Sequence, residues 1–299
     1  MTVTQTRRAA GATPAASSPS EATVAKRPRR SRQVGSSGRT NGLTLGVVTL
    51  WLSVIVLLPL AALTVASFEE GWSGFWDAIT APVAIAALVN TLLISAAVAV
   101  LNVVTGTLIA WVLVRDDFPG KRFVDALIDL PFALPTIVAS IVLLSLYGPN
   151  GPIGVQLYAT KWAVLVALAF VTLPFVVRSV QPVLIELDTD VEQAAASLGA
   201  NNWTIFRKVV LPTLGPSIIS GGGLAFARAI GEYGSVVLIG GNIPRDTQVA
   251  SQYIQQQIEI DRPVNAAAVS VALLAMSFLT LVVLRFFAGR GQDRQERAA

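Results

Sequence analysis

The sequence predicts an all-α polytopic membrane protein with six transmembrane helices and both termini in the cytoplasm. Of its 299 residues, 53% are hydrophobic and only 13% are charged, whereas soluble domains carry about 25% charged residues. Several runs without any charged side chain are long enough to cross a bilayer, which takes about 20 apolar residues. These runs cover residues 43–68, 78–114, 130–160 and 263–284.

The distribution of basic residues predicts the topology. Of the 22 lysines and arginines, Lys161, Arg245 and Arg262 fall in predicted outer loops and Arg228 lies within a span, which leaves 18 on the predicted cytoplasmic side. This bias follows the positive-inside rule. Residues 1–42 hold eight of these basic residues against one acid. They are predicted to form a disordered basic cytoplasmic tail, because they lack large apolar side chains. We do not expect the tail to bind nucleic acid.

The predicted membrane domain, residues 43–287, is followed by a cytoplasmic tail at 288–299. Span 2 is longer than one crossing needs, so we expect it to tilt or to begin with a short interfacial helix. Pro131 and Pro135 predict a kink or a broken start in span 3. The acidic, aromatic-rich loop after span 1 and the polar segment 240–263 are predicted to lie outside. The spans are predicted at about 43–66, 84–114, 124–146, 162–185, 214–239 and 264–287.

Residues 186–212 form the longest polar-rich interruption of the apolar sequence, and we call them the docking loop. A capping box at Asp190–Gln193 or Thr189–Glu192 predicts a helix start. Gly199 predicts a sharp turn. An asparagine at 201 or 202 can cap a second short helix that Pro212 is expected to end. Helix, glycine turn and helix suit docking into another protein, but they also suit an ordered loop that only joins two spans.

Span 5 carries the charged pair Arg228 and Glu232, four residues apart on one helical face. Charges at membrane depth are costly, so this pair is expected either to fix helix packing or to line a substrate path. Beside the pair, small residues recur every four positions and predict close approach of a neighbouring helix. This stripe consists of Gly223, Ala227, Gly231 and Ser235.

The composition excludes most catalytic chemistry. The chain has no cysteine and no histidine, so thiolate nucleophiles, imidazole bases and the usual transition-metal ligands are missing. It has no GxxxxGK[ST] phosphate-binding loop, so we do not expect it to bind ATP. The acids at 186–192 fit helix caps better than a metal site. We therefore predict no catalytic residue, no metal and no cofactor bound by this chain, and a pore or a membrane enzyme remains a weaker alternative.

The segment EQAAASLGANNWTIFRKVVLP, residues 192–212, resembles the cytoplasmic signature (EAA) loop of ATP-binding-cassette (ABC) importer permeases, except that Gln193 replaces the usual second acid. The resemblance covers about residues 45–290. It implies a type I, MetI-like permease fold in which this loop docks onto one of two ATPase subunits that use the ATP. The docking residues it implies are Glu192, Gln193, Ala194, Ala195, Gly199, Phe206 and Pro212.

A second segment, ARAIGEYGSVVLIGGNIP at 227–244, is similar to the T-type subunits of sulfate/thiosulfate permeases. This resemblance implies transport of sulfate or thiosulfate across the bacterial cytoplasmic membrane by a multi-pass permease. Its expected partners are a homologous W-type permease subunit and an extracytoplasmic sulfate-binding protein. Molybdate, tungstate or another oxyanion is the alternative cargo. Candidates for the translocation path or for helix packing are Arg228, Gly231, Glu232, Tyr233 and Ser235.

Overall fold

The computed structural model describes the backbone of residues 40–296 and the side chains of residue 42 and residues 44–283. Every regular element in this part of the chain is a helix. The chain divides into a short unit ending at Trp51 and a larger unit beginning at Leu52, and the sites below lie in the larger unit. The predicted tail at 1–42 lies almost wholly outside the described residues, as do the last three residues of the predicted tail at 288–299.

Thirteen α-helices follow one another within residues 40–296, and π-helical turns at Ser53–Leu57 and Phe206–Val210 interrupt two of the helical stretches. The helices are α1 (Thr40–Leu52), α2 (Leu58–Ala66), α3 (Gly71–Thr80), α4 (Pro82–Arg115), α5 (Lys121–Ile128), α6 (Leu130–Ala133), α7 (Thr136–Tyr147), α8 (Lys161–Glu186), α9 (Thr189–Ser197), α10 (Asn202–Ile205), α11 (Leu211–Ile230), α12 (Ala250–Glu259) and α13 (Pro263–Glu296).

Five helical stretches among the described residues are long and apolar enough to cross a membrane. They correspond to predicted spans 1, 2, 4, 5 and 6, although their ends differ from the predicted ones. Their bounds are Thr44–Ala66, Pro82–Arg115, Lys161–Glu186, Asn202–Ile230 and Pro263–Val283.

The region predicted as span 3 is broken into α5, α6 and α7. Leu134 and Pro135 adopt extended backbone between α6 and α7, because a proline disfavours the helical conformation in the residue before it. The last piece, α7, has 12 residues and is about 18 Å long at 1.5 Å per residue. That is shorter than a hydrocarbon core of about 30 Å, so α7 alone does not span it.

Span 2 is one continuous helix and does not begin with a short interfacial helix; a separate short helix, α3, precedes it in the predicted outer loop. Ala81 is extended and Pro82 begins α4, so the short helix α3 is set off from the 34-residue α4. Phe68, Trp72 and Phe75 stack on one another along α3 and the turn before it, and Trp76 meets this stack edge-on. Aromatic rings of this kind are typical of a membrane–water interface.

Helices α4, α8 and α11 pack on one another and form the centre of the larger unit. Val176, Val177 and Val180 of α8 are fully buried there, together with Leu214 of α11. Proline at positions 174 and 182 does not end α8, since neighbouring helices stabilise a proline-containing helix within a membrane. The two sites described next lie at opposite ends of α11.

Arg178 of α8 holds the broken span against this centre. Its Nε and Nη2 donate to the two carboxylate oxygens of Asp129 at 2.7 and 2.6 Å, and its Nη1 donates to Asp125 at 2.8 Å. The planar guanidinium suits such paired hydrogen bonds. An arginine within an apolar helix is therefore matched by two acids from α5 and the turn after it.

Candidate functional site

The docking loop folds as helix, glycine turn and helix, as the sequence predicts. Helix α9 begins after Asp188, whose Oδ1 accepts a hydrogen bond from the Asp190 amide at 2.9 Å. Both predicted capping boxes are wrong, because the cap is Asp188 and the Glu192 side chain pairs with another helix. Gly199 turns the chain at φ +85°, a conformation that costs residues with a Cβ atom about 1–2 kcal/mol.

The second helix does not end at Pro212. Asn201 caps α10, its Oδ1 accepting from the Thr204 amide at 2.8 Å, and the chain then passes through the π turn directly into α11. The Leu211 amide donates to the Phe206 carbonyl, five residues back. Pro212 follows directly after this π turn, at the start of α11, and does not interrupt the helical stretch. The docking loop is therefore continuous with span 5.

The inner face of the docking loop is attached to the end of α4. Glu192 forms an ion pair with Arg115, the last residue of α4. The Arg115 guanidinium lies 5.7 Å from the Trp111 ring centre, and Trp111 meets Phe206 edge-on at 5.6 Å. Trp203 stacks on Phe206 at 5.8 Å. These contacts connect both helices of the docking loop to span 2.

The predicted docking residues divide between two faces of the loop. Glu192, Ala195 and Phe206 are half-buried and face the protein, whereas the others are exposed. The exposed face also carries large apolar side chains that are not among the predicted docking residues, including Leu198, 90% exposed, and Trp203, 67% exposed. The signal in the sequence that could have identified Leu198 and Trp203 is that both are large apolar residues within a polar segment. The exposed predicted residues are Gln193, Ala194, Gly199 and Pro212.

The second site begins where α11 ends. The predicted span 5 runs to residue 239, but the helix stops at Ile230 and residues 231–249 are not helical. The Ser235 amide donates to Glu232 Oε1 at 2.8 Å, so a side chain accepts a hydrogen bond that a continuing helix would give to the backbone. Of the predicted stripe, Gly223 and Ala227 lie in α11, whereas Gly231 and Ser235 lie beyond its end. Within α11, the glycines on which neighbouring helices pack most closely are Gly221 and Gly222.

Several helices fix the segment 231–249, which we call the polar loop. Asn90 of α4 donates to the Asp246 carbonyl at 2.7 Å, and Ser140 of α7 accepts from the Leu238 amide at 3.1 Å. Gly234 packs so closely on α7 that a Cβ atom would lie 2.1 Å from Thr136 Oγ1. Non-helical backbone at membrane depth is tolerated only where it is buried in protein or lines a water-filled cavity.

The five path candidates differ in exposure. Glu232 is only 2% exposed, and it pairs with Arg228 in addition to accepting from Ser235. The Arg228 side chain keeps 37% of its surface exposed, so its guanidinium can meet a further anion while Glu232 holds it. Gly231 and Tyr233 are exposed, whereas Ser235 is fully buried. The Arg228–Glu232 ion pair is compatible with a role in helix packing and with a role in lining the substrate path.

Metal binding finds no support in the described side chains. Within residues 42–283, no group of three or more acidic side chains lies close enough to hold an ion. Two of the four acids of the docking loop have other contacts, since Asp188 caps α9 and Glu192 pairs with Arg115.

A family model described as "Binding-protein-dependent transport system inner membrane component" matches residues 102–292. Two relatives share 44% identity with 80% of this chain: the sulfate transport system permease proteins CysT of Synechocystis sp. and of Escherichia coli, of which 86% and 89% are covered. A protein of Chlorokybus atmophyticus, named as a probable sulfate transport system permease, is 42% identical over 81% of this chain and 87% of its own length.

Solved structures of ABC transporters share the fold. A chain of a bacterial transporter that imports alginate aligns with a TM-score of 0.70 and 15% identity, over 84% of this chain and 96% of that chain. A chain of the MetNI methionine transporter in an inward-facing conformation aligns with a TM-score of 0.56 and 20% identity, over 69% of this chain and 95% of that chain. The predicted all-α ABC importer permease fold is thereby confirmed.

Proposed function

This chain belongs to the family of binding-protein-dependent transport system inner membrane components, and we propose that it is the membrane-spanning permease subunit of an ATP-driven sulfate/thiosulfate importer. The observation that carries this proposal is the 44% identity, over 80% of the chain, to permeases named for sulfate transport. The chain is a multi-pass transport subunit and not an enzyme. The six-span topology with both termini in the cytoplasm is part of the proposal.

The proposed mechanism is alternating access powered by a separate pair of ATPase subunits. The docking loop presents Leu198, Trp203 and the exposed Gln193–Ala194 pair to one ATPase, and Gly199 fixes the angle between its helices. Because α10 continues into α11, and because Glu192 is paired with Arg115, a displacement of the loop acts on spans 5 and 2 together. This arrangement links ATP hydrolysis to movement within the membrane.

The cargo path is proposed at the polar loop, enclosed by this chain and a homologous W-type permease subunit. Arg228 offers a partly exposed guanidinium there, with Glu232 holding it from the buried side. An extracytoplasmic sulfate-binding protein delivers the anion. Moving a dianion into a cell whose interior is negative costs about 4.6 kcal/mol per 100 mV of membrane potential, twice the cost for one charge. This cost accounts for the need for ATP.

Co-purification with the ATPase subunit tests the docking part of the proposal. Full-length chain in detergent, mixed with the purified ATPase of the same system, is expected to retain it. Leu198→Asp places a charge in the apolar contact and is expected to abolish retention. The control Lys208→Gln changes an exposed side chain of the π turn and is expected to leave retention unchanged. Equal retention by wild type and Leu198→Asp would refute docking through this face.

A further inference from the structure

A polar cavity of about 500 Å³ opens between the two segments that the charge distribution predicts to be outside. One wall is formed by α3 and the turn before it, and the other by α12 and the residues that follow it. We call this space the outer cavity. Its volume lies in the range of small-molecule pockets, so it has room for a whole side chain of another protein. The polar side chains that line it are Glu70, Asp77, Tyr253, Gln256, Gln257, Arg262 and Asn265.

Gln257 marks the outer cavity as an incomplete site. The residue is only 6% exposed, and its Oε1 is buried without a hydrogen-bond partner among the described residues. Leaving a buried acceptor unsatisfied destabilises a protein, and buried polar groups in native proteins are nearly always paired. Because a carbonyl oxygen only accepts hydrogen bonds, the missing partner is a donor.

The charges around the outer cavity favour a cationic donor. Glu70 and Asp77 form no ion pair within the described residues, and Arg262 is the one basic side chain among the residues that line this cavity. Burial raises the pKa of the Tyr253 phenol, so this side chain stays neutral. The outer segments as a whole carry six acids against three bases. The acids are Glu69, Glu70, Asp77, Asp246, Glu259 and Asp261, and the bases are Lys161, Arg245 and Arg262.

We propose that the outer cavity receives one lysine or arginine side chain of the extracytoplasmic binding protein, with Gln257 Oε1 accepting its hydrogen bond and Glu70 and Asp77 neutralising its charge. A side-chain ammonium or guanidinium supplies both the missing donor and the missing positive charge. This proposal rests on the proposed function, because it requires a binding protein that docks on this side. Contact with α12 connects the docked protein to the polar loop, which leads directly into that helix.

Stimulation of ATP hydrolysis by the binding protein provides the test. The complete importer is placed in lipid nanodiscs, and the hydrolysis rate is measured against the concentration of purified, sulfate-loaded binding protein. The double variant Glu70→Gln/Asp77→Asn is expected to need about tenfold more binding protein for half-maximal stimulation at low ionic strength, since facing charges govern encounter and register. The difference is expected to shrink in high salt.

Two further variants separate the acceptor from the charges. Gln257→Leu is expected to raise the half-maximal concentration several-fold with an unchanged salt dependence, because it removes an uncharged acceptor. Glu259→Gln is the matched control. It neutralises an exposed acid at the end of α12 that does not line the outer cavity, and it is expected to behave as wild type.

Cross-linking adds a readout that does not depend on hydrolysis. The chain has no cysteine, so Asp77→Cys introduces a unique thiol, and a thiol-to-amine reagent is expected to join it to a lysine of the binding protein. Glu259→Cys is expected to give far less product.

Three outcomes are distinguishable. Unchanged half-maximal stimulation in the double variant, with wild type responding normally, would overturn the proposal for the outer cavity while the proposed function stands. Calcium or magnesium that stabilises wild type but not the double variant against heat, without binding protein, would identify an inorganic cation site and equally overturn it. A wild-type importer that neither responds to the binding protein nor moves sulfate would instead refute the proposed function.

Discussion

Arg115, at the end of the second span, forms an ion pair with Glu192 in the first helix of the docking loop, 77 residues further along the chain. The pair is partly buried, with 18% and 22% of the two side chains exposed. The proposed ATPase contact is therefore held to span 2 by a side-chain contact, whereas its continuity with span 5 is covalent.

Glu192→Gln is expected to uncouple hydrolysis from transport. A hydrogen bond to a charged group contributes about 1.5–3 kcal/mol, so its loss frees α9 to move without α4. Sulfate transported per ATP hydrolysed, measured in vesicles, should fall about tenfold. Asp190→Asn, an exposed acid of the same helix, serves as control and should leave the ratio unchanged. If both variants behave alike, the Arg115–Glu192 pair does not carry the coupling.

Gly199→Ala is expected to weaken ATPase binding about tenfold, because φ +85° costs an alanine about 1–2 kcal/mol. Gly199→Pro should abolish binding, since proline cannot adopt positive φ. Affinity for the purified ATPase subunit is the measurement. Gly215→Ala is the control, as Gly215 lies in α11 with open space around its Cβ position, and it should bind normally. Normal binding by Gly199→Pro would count decisively against docking through this turn.

Glu232→Ala is expected to impair sulfate uptake more than it lowers the amount of protein in the membrane. The change leaves Arg228 without its buried partner and the Ser235 amide without its acceptor. Glu232→Gln keeps an acceptor for the amide and should insert more fully, yet still transport poorly. Immunoblots of membranes alongside uptake rates separate the two effects. A proportional loss of protein and uptake would assign the pair to helix packing alone.

Arg178→Lys is expected to destabilise the permease by about 1.5–3 kcal/mol, because an ammonium cannot reproduce the paired hydrogen bonds to Asp129 and the bond to Asp125. The thermal unfolding midpoint in detergent, followed by fluorescence, should fall by several degrees. Arg207→Lys changes an exposed arginine of the π turn and should not shift it. Equal midpoints for both variants would show that the hydrogen bonds of Arg178 to Asp129 and Asp125 contribute little to stability.

Local signals predicted much of this structure. Runs of apolar residues located five of the long helices, proline at 135 predicted the break in span 3, and Gly199 predicted the turn of the docking loop. Each of these depends on backbone conformation or hydropathy over a few residues, which the sequence displays directly.

Contacts between distant segments escaped prediction. Nothing in the sequence around Arg115 indicates its pairing with Glu192, because the two residues are 77 positions apart. The apolar sequence continues past Ile230, so hydropathy could not reveal that the helix ends there and that Glu232 accepts a hydrogen bond from the Ser235 amide. The sequence pattern of a capping box does not identify Asp188 as the cap of α9. Glu192, which would complete such a box with Thr189, instead forms an ion pair with Arg115 of α4.

Sulfate uptake tests the central claim most directly. In cells whose own sulfate permease has been deleted, the complete system with wild-type chain should restore uptake of radiolabelled sulfate, and the same system with Gly199→Pro should not. Thiosulfate should compete with the label, and uptake should stop when ATP is depleted. Sulfate uptake that is unaffected by the presence of this chain, together with molybdate uptake that depends on it, would contradict the account.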